Sequence, residues 1–122
     1  MTAGEVPEDR GAPGAQVGLR IATEEHDGWV VVAFSGELDL EESGRAEAAL
    51  AEARARAVTG VTADLRDVSF LGSTGIRILL EARDAAVAAG LRSGVLQGDG
   101  AARRLIELLG LTEELDAIDA DG

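Results

Sequence analysis

The segment with the clearest chemical potential is Gly72-Ser73-Thr74-Gly75, where a strand-like pattern changes to a helical one. Ser73 and Thr74 place hydroxyl groups where the helix should begin. In one interpretation, a hydroxyl caps the helix by accepting a hydrogen bond from a free N–H group of the first turn. In the other, Ser73 is phosphorylated, because the unpaired N–H groups and partial positive charge of a helix start can hold a phosphate. Both interpretations predict that a helix begins here.

Phosphorylation of Ser73 would act on a partner more than on the fold. A phosphate adds about −1.5 to −2 charges and three acceptor oxygens. The start of a helix tolerates that charge, whereas a protein packed over it does not. The glycines on both sides leave the backbone open to a docking protein or a kinase. If Ser73 is phosphorylated, the segment is thus a binding switch, whereas a helix cap remains the default interpretation of the local sequence.

Other catalytic and metal-binding patterns are missing from the sequence. The chain has no cysteine and one histidine, His26, so disulfides, thiolate nucleophiles and multi-histidine metal sites are excluded. It has no lysine for a P-loop, and Leu71 stands where a nucleophile elbow needs glycine. His26 belongs to a predicted turn and is no credible base for a serine nucleophile. We expect no enzyme activity, catalytic residue, metal or cofactor.

Composition and charge limit the class of protein. The 122 residues suffice for one domain, and 46% of them are hydrophobic, enough for a core. No apolar stretch reaches the length of a membrane helix, and residues 1–10 do not resemble a secretory signal, so we expect a cytoplasmic location. The net charge of −12 disfavours nucleic acid and anionic membranes as partners. A protein surface bearing basic side chains remains compatible, and a monomer is the default expectation.

Periodicity divides the chain into a tail and one domain. Residues 1–18 contain both prolines and little apolar surface, which predicts a disordered tail. Residues 119–122 form an acidic end. Residues 19–118 alternate between strand and helix patterns. The predicted strands are 19–24, 29–34, 61–65 and 91–96, with a possible edge strand near Ile118. Three predicted helices are marked by apolar residues at helical spacing. These residues are Ala46, Ala49, Leu50, Ala53 and Ala57 in the first helix, Ile76, Leu79, Leu80, Ala86 and Val87 in the second, and Ala101, Leu105, Leu108 and Leu109 in the third.

This order predicts an α/β fold. The turn at His26-Asp27-Gly28 should join the first two strands in a hairpin. Strands that alternate with helices imply parallel pairing in a sheet covered by helices. Asp39 and Glu42 have the spacing of a capping box at the first helix. Val68 and Phe70 are expected in an apolar loop before Ser73, with Phe70 and Ile76 as core anchors.

Residues 64–76, Asp-Leu-Arg-Asp-Val-Ser-Phe-Leu-Gly-Ser-Thr-Gly-Ile, resemble the signature of the STAS-domain anti-sigma factor antagonist family. That signature is a strand ending in Asp-Leu, an apolar loop, and then Phe-(Met/Leu)-Asp-Ser-(Ser/Thr)-Gly-(Leu/Ile). The segments 36–39 (Gly-Glu-Leu-Asp) and 103–111 are also similar to family motifs. The resemblance implies a four- to five-stranded mixed sheet flanked by helices in a single domain.

The resemblance also implies a role in regulating sigma-factor-dependent transcription. Unphosphorylated members bind an anti-sigma factor, often a Ser/Thr protein kinase, which phosphorylates the serine matching Ser73 and breaks the complex; a Ser/Thr phosphatase restores it. Alternative roles within the family are a scaffold of a signalling complex and a subunit of a lipid transporter. The docking face implied here comprises Asp39, Gly72, Ser73, Thr74, Gly75 and Arg77.

One of these positions departs from the family pattern, and three others have alternative interpretations. The family usually has Asp before the phosphorylated serine, whereas this chain has Gly72. Asp39 matches the family's acidic residue near the phosphorylation loop, and it could equally be a helix cap. Thr74 could be the cap or an alternative phosphate acceptor. Arg77 could contact an acidic partner, although an ion pair with Glu81 is the default.

Overall fold

The computed structural model describes residues 18–118, so most of the predicted tail and the acidic end at 119–122 lie outside the described residues. A single 3-10 turn, Leu40–Glu42, precedes the first α-helix. The other elements in chain order are β1 (Leu19–His26), β2 (Trp29–Leu38), α1 (Ser43–Arg56), β3 (Gly60–Leu71), α2 (Ser73–Ala88), β4 (Arg92–Leu96), α3 (Ala101–Leu108) and β5 (Ala117–Ile118).

The five strands of the described region form one mixed sheet in the order β1-β2-β3-β4-β5. Strands β1 and β2 pair antiparallel across a two-residue turn in which Asp27 and Gly28 both have positive φ (53° and 87°), as a type I′ hairpin turn requires. The remaining neighbours pair in parallel, and a helix lies between the two strands of each of these three pairs. The predicted hairpin, parallel pairing and short edge strand are confirmed, except that His26 belongs to β1 and pairs with Trp29.

The core lies between the sheet and its helices. Strand β2 lies between β1 and β3, and alternate side chains on it (Val30, Val32 and Phe34) are at most 1% exposed, while those between them are half-buried. Helices α1 and α2 cover the buried side. Their buried side chains include Ala46, Leu50 and Ala53 on α1 and Ile76, Ile78 and Leu79 on α2.

The predicted apolar stripe of α2 is wrong at one position. Val87 is 54% exposed, whereas Ala86 is buried. Successive residues of an α-helix are turned by about 100°, so a helix that buries Ala86 turns Val87 away from the sheet. Ile78, which was not placed in the stripe, is buried instead.

Strand β3 is longer than predicted and replaces the expected loop around Val68 and Phe70. It runs on to Leu71 because β2 pairs with it along its whole length, ending with Leu38 opposite Leu71. Two irregularities in register, between Ala33 and Ser35 and between Gly36 and Glu37, each accommodate one extra residue of β3. The extension brings the start of α2 directly to the end of β2.

No helix within residues 18–118 is long and apolar enough to cross a membrane.

Candidate functional site

Ser73 is the first residue of helix α2, and its side chain is exposed to solvent. The N-cap position belongs to Gly72, and no side chain caps this helix. The Gly72 carbonyl accepts the first helical hydrogen bond, from the Ile76 N–H group at 3.1 Å. The interpretation of Ser73 or Thr74 as a hydroxyl cap is therefore wrong, because the helix begins one residue earlier than a cap at Ser73 would need. The Ser73 hydroxyl remains accessible to another protein.

The ends of β2 and β3 position the start of α2. The Gly72 N–H group donates a hydrogen bond to the Leu38 carbonyl at 3.2 Å. Gly75 is buried, and a Cβ atom there would lie 2.6 Å from Leu71 Cδ1 and 2.7 Å from the Leu38 carbonyl oxygen. Such distances are too short for non-bonded carbon and oxygen atoms. Only glycine at position 75 allows α2 to pack this close to the ends of β2 and β3. Gly75 is therefore a buried packing residue beneath Ser73.

Asp39 lies beside this helix start, but it does not form the predicted capping box with Glu42. It occupies the N-cap position of the 3-10 turn in an extended conformation, and its side chain makes no capping hydrogen bond. The carboxylate lies against Gly72 instead. The Glu42 carboxylate accepts a hydrogen bond from Arg45 at 2.9 Å. Asp39 and Gly72, separated by 33 positions in the chain, are thus neighbours, as the resemblance implied.

Arg77 lies one turn into α2 and is paired within the chain. Its guanidinium contacts Glu81 at 2.9 Å and Glu47 on α1 at 3.6 Å. The default interpretation, an ion pair with Glu81, is confirmed. These side chains are about half exposed, so the pairs contribute little to stability and leave Arg77 able to exchange partners.

The two hydroxyl residues and the two expected core anchors differ in exposure. Ser73 is exposed and Thr74 is half-buried. Ile76 is buried at 6% exposure, whereas Phe70 is 48% exposed, so its predicted role as a core anchor is wrong. Phe70 alternates with the buried Leu71 along β3 and therefore points to the opposite side of the strand.

Leu40 is a second exposed apolar side chain at this end of the sheet, at 68%, and sequence analysis did not single it out. The sequence did contain a signal for this exposure. Leu40 is surrounded by Asp39, Glu41 and Glu42, and no apolar residue lies three or four positions from it to form a buried helix face. Leu40 and Phe70 are thus two exposed apolar side chains close in the chain to Asp39 and Gly72.

His26 cannot serve Ser73 as a base. It pairs with Trp29 at the start of β2, whereas Ser73 follows the strand end opposite Leu38, nine residues further along. At about 3.3 Å per residue, the two lie roughly 30 Å apart. The His26 ring contacts Glu24 at 3.0 Å. Within residues 18–118, no three His, Cys, Asp or Glu side chains are grouped so as to hold a metal ion.

Sequence analysis also missed an ion pair on β3 between the buried Asp64 and the half-exposed Arg66. Asp64 is 9% exposed, and its carboxylate accepts hydrogen bonds from Arg66 Nε at 3.0 Å and Nη2 at 2.8 Å. These bonds lower the pKa of Asp64 against the opposing effect of burial. The spacing of two residues, which places both side chains on one side of a strand, was the available signal.

Comparisons with known proteins agree with this architecture. The STAS domain family model matches residues 20–120. The anti-sigma-F factor antagonist RsfB of Mycobacterium tuberculosis is 33% identical over 93 residues, which make up 76% of this chain and 75% of RsfB. The crystal structure of an anti-sigma factor antagonist from Mycobacterium paratuberculosis has a TM-score of 0.72 at 32% identity, over 85% of this chain and 88% of that chain.

A more distant structure shows the fold alone. SpoIIAA, an anti-sigma factor antagonist solved in its unphosphorylated form, has a TM-score of 0.66 at 23% identity, over 83% of this chain and 88% of that chain. The family model covers most of the chain, and RsfB exceeds 30% identity over three quarters of it. On these grounds, this protein belongs to the STAS domain family.

Proposed function

We propose that this chain is an anti-sigma factor antagonist that binds its anti-sigma factor through the surface around Ser73 and is released when Ser73 is phosphorylated. The observation that carries the proposal is the exposed Ser73 hydroxyl on the first residue of α2. The relatives named as anti-sigma factor antagonists support the same role. The chain itself acts by binding and catalyses no reaction.

The proposed docking face consists of Asp39, Gly72, Ser73, Thr74 and Arg77, with Gly75 buried beneath it. Its partner is an anti-sigma factor of the Ser/Thr kinase type, and a Ser/Thr phosphatase returns the protein to its binding state. Ser73 is the preferred acceptor because it is exposed, while the neighbouring Thr74 is half-buried.

The charge around Ser73 explains how a phosphate would release the partner. Asp39 is already negative, and Arg77 is engaged by two glutamates. A phosphate would add about −1.5 to −2 charges to this surface. Because the site lies at a helix start, where negative charge is favourable, the fold should keep its stability. A partner that accommodates the neutral hydroxyl would lose binding through repulsion and desolvation.

The test combines phosphorylation with binding. The protein is incubated with candidate anti-sigma kinases and ATP, and the peptide containing Ser73 is analysed by mass spectrometry. We expect Ser73→Ala to bind constitutively and Ser73→Asp to bind at least tenfold more weakly, a change of about 1.4 kcal/mol. Thr74→Ala is the matched control and should still be phosphorylated.

Two results would contradict the proposal. If Ser73→Ala and Ser73→Asp both bound and dissociated like the unmodified protein, Ser73 would not be the switch. If the protein co-purified with subunits of a lipid transporter or a signalling scaffold and with no kinase-like protein, the alternative roles within the family would be favoured.

A further inference from the structure

The space beside Gly72 is filled by the Asp39 carboxylate. A Cβ atom built on Gly72 would overlap Asp39 Oδ1 and would lie 2.7 Å from its Cγ and 3.1 Å from its Oδ2. Non-bonded carbon atoms are most stable at about 3.5–4.0 Å, so a side chain at position 72 and the present position of the Asp39 carboxylate exclude each other.

The backbone at Gly72 does not itself require glycine. Its φ of −95° and ψ of 178° are extended values that any residue adopts. Gly72 thus differs from Gly28, where a positive φ explains the glycine. What the missing side chain provides at position 72 is room for Asp39.

Asp39 can leave that position easily. No described residue donates a hydrogen bond to its carboxylate, and its side chain does not cap the 3-10 turn. Rotation about Cα–Cβ to another staggered rotamer would relieve the overlap without moving the backbone. A side chain at position 72 should therefore displace the carboxylate while leaving the fold intact.

Among the cations of residues 18–118, none forms an ion pair with this carboxylate. Arg77, the cation nearest along α2, contacts Glu81 and Glu47, and Arg45 contacts Glu42. The negative charge beside Ser73 is thus free to meet a cationic side chain of another protein.

We propose that Gly72 is a positioning residue: it places the Asp39 carboxylate beside Ser73, where that carboxylate recognises a basic side chain of the partner. This inference rests on the proposed function for the identity of the partner. In this chain the negative charge next to the serine comes from Asp39, which directly follows β2, and the size of the residue at position 72 determines where that carboxylate lies.

A double-mutant cycle tests the proposal. Gly72→Ala, Asp39→Ala and the double variant are compared with the unmodified protein in binding to the anti-sigma kinase that the phosphorylation experiment identifies. We expect each single variant to weaken binding about tenfold and the double variant to bind no more weakly than Asp39→Ala, because both changes remove the same carboxylate. All three should lose the same part of the salt dependence of binding.

Gly100→Ala is the matched control. Gly100 is also the N-cap of a helix, with φ −101°, but a Cβ atom there would meet only the Val68 carbonyl oxygen at 4.0 Å. We expect this variant to bind like the unmodified protein. Its thermal unfolding midpoint should change by about as much as that of Gly72→Ala, since both place alanine at an N-cap.

Two binding results would overturn the proposal. If Gly72→Ala bound normally, the position of the carboxylate would not matter to the partner. If the double variant bound about a hundredfold more weakly, with the two effects multiplying, the methyl group itself would block the partner and Asp39 would act independently.

A measurement without the partner separates this proposal from the proposed function. The NMR resonance of the Asp39 side-chain carboxyl carbon should shift in Gly72→Ala and stay unchanged in Gly100→Ala. An unchanged resonance in Gly72→Ala would refute the positioning role. A shifted resonance in a protein that binds no anti-sigma factor would refute the proposed function and leave Gly72 as the residue that positions Asp39.

Discussion

Substitution of Gly75 by alanine tests how tightly α2 is held against the end of β2. Alanine is favoured over glycine within a helix by about 1 kcal/mol, so propensity alone predicts stabilisation. The added methyl group would, however, lie 2.7 Å from the Leu38 carbonyl oxygen and 2.6 Å from Leu71 Cδ1. The carbonyl oxygen is a backbone atom in the paired end of β2 and cannot rotate away.

The two effects can be weighed against each other. Overpacking in a well-filled core costs about 1–3 kcal/mol, and a fixed backbone neighbour favours the upper part of that range. After subtracting the helix preference, we expect Gly75→Ala to lose about 1–2 kcal/mol of unfolding free energy. For a domain of this size, that loss lowers the midpoint of thermal unfolding by about 4–15 °C.

Gly44→Ala is the control, because Gly44 also lies in the first turn of a helix and a Cβ atom there meets nothing within 4 Å. We expect it to gain about 0.5–1 kcal/mol. Urea denaturation followed by circular dichroism measures both variants. If Gly75→Ala were stabilised as much as Gly44→Ala, α2 would not be clamped on β2, and our account of how Ser73 is positioned would fail.

Two further predictions concern stability. Hydrogen bonds from Arg66 hold the folded pKa of Asp64 below its unfolded value of about 3.9, so ionised Asp64 stabilises the fold above that pH and loses this effect as pH falls through the lower folded pKa. Asp64→Asn should therefore be less stable at pH 7 and show a weaker loss of stability below about pH 4; equal acid unfolding curves would contradict this. Phe34→Ala should cost about 3–5 kcal/mol and Phe70→Ala much less, since Phe34 is 1% exposed and Phe70 is 48% exposed; equal unfolding midpoints in denaturant would show that Phe70 is a core residue after all.

Sequence patterns were sufficient for the order of the elements and the class of fold. The apolar run of β2, the helical spacing of Ala46, Leu50 and Ala53, and the turn at Asp27-Gly28 are patterns of residues within a few positions of one another. Such patterns can be recognised in a short stretch of sequence, without knowledge of the rest of the molecule. Parallel pairing followed because a helix between two strands returns the chain to the same end of the sheet.

Tertiary contacts decided the details of the candidate site. The segment from Arg66 to Leu71 has no strand pattern of its own, and only pairing with β2 makes it part of β3. The same pairing turns Phe70 to the exposed side. Asp39 has the spacing of a cap, yet its carboxylate lies against Gly72 because that residue leaves space for it. Hydrophobic periodicity and secondary-structure propensity depend on residues close together in the chain. The atoms that a side chain contacts depend instead on residues that are distant in the chain and adjacent in the fold. Sequence alone therefore predicted a helix starting near Ser73, and the tertiary structure determined what surrounds its hydroxyl.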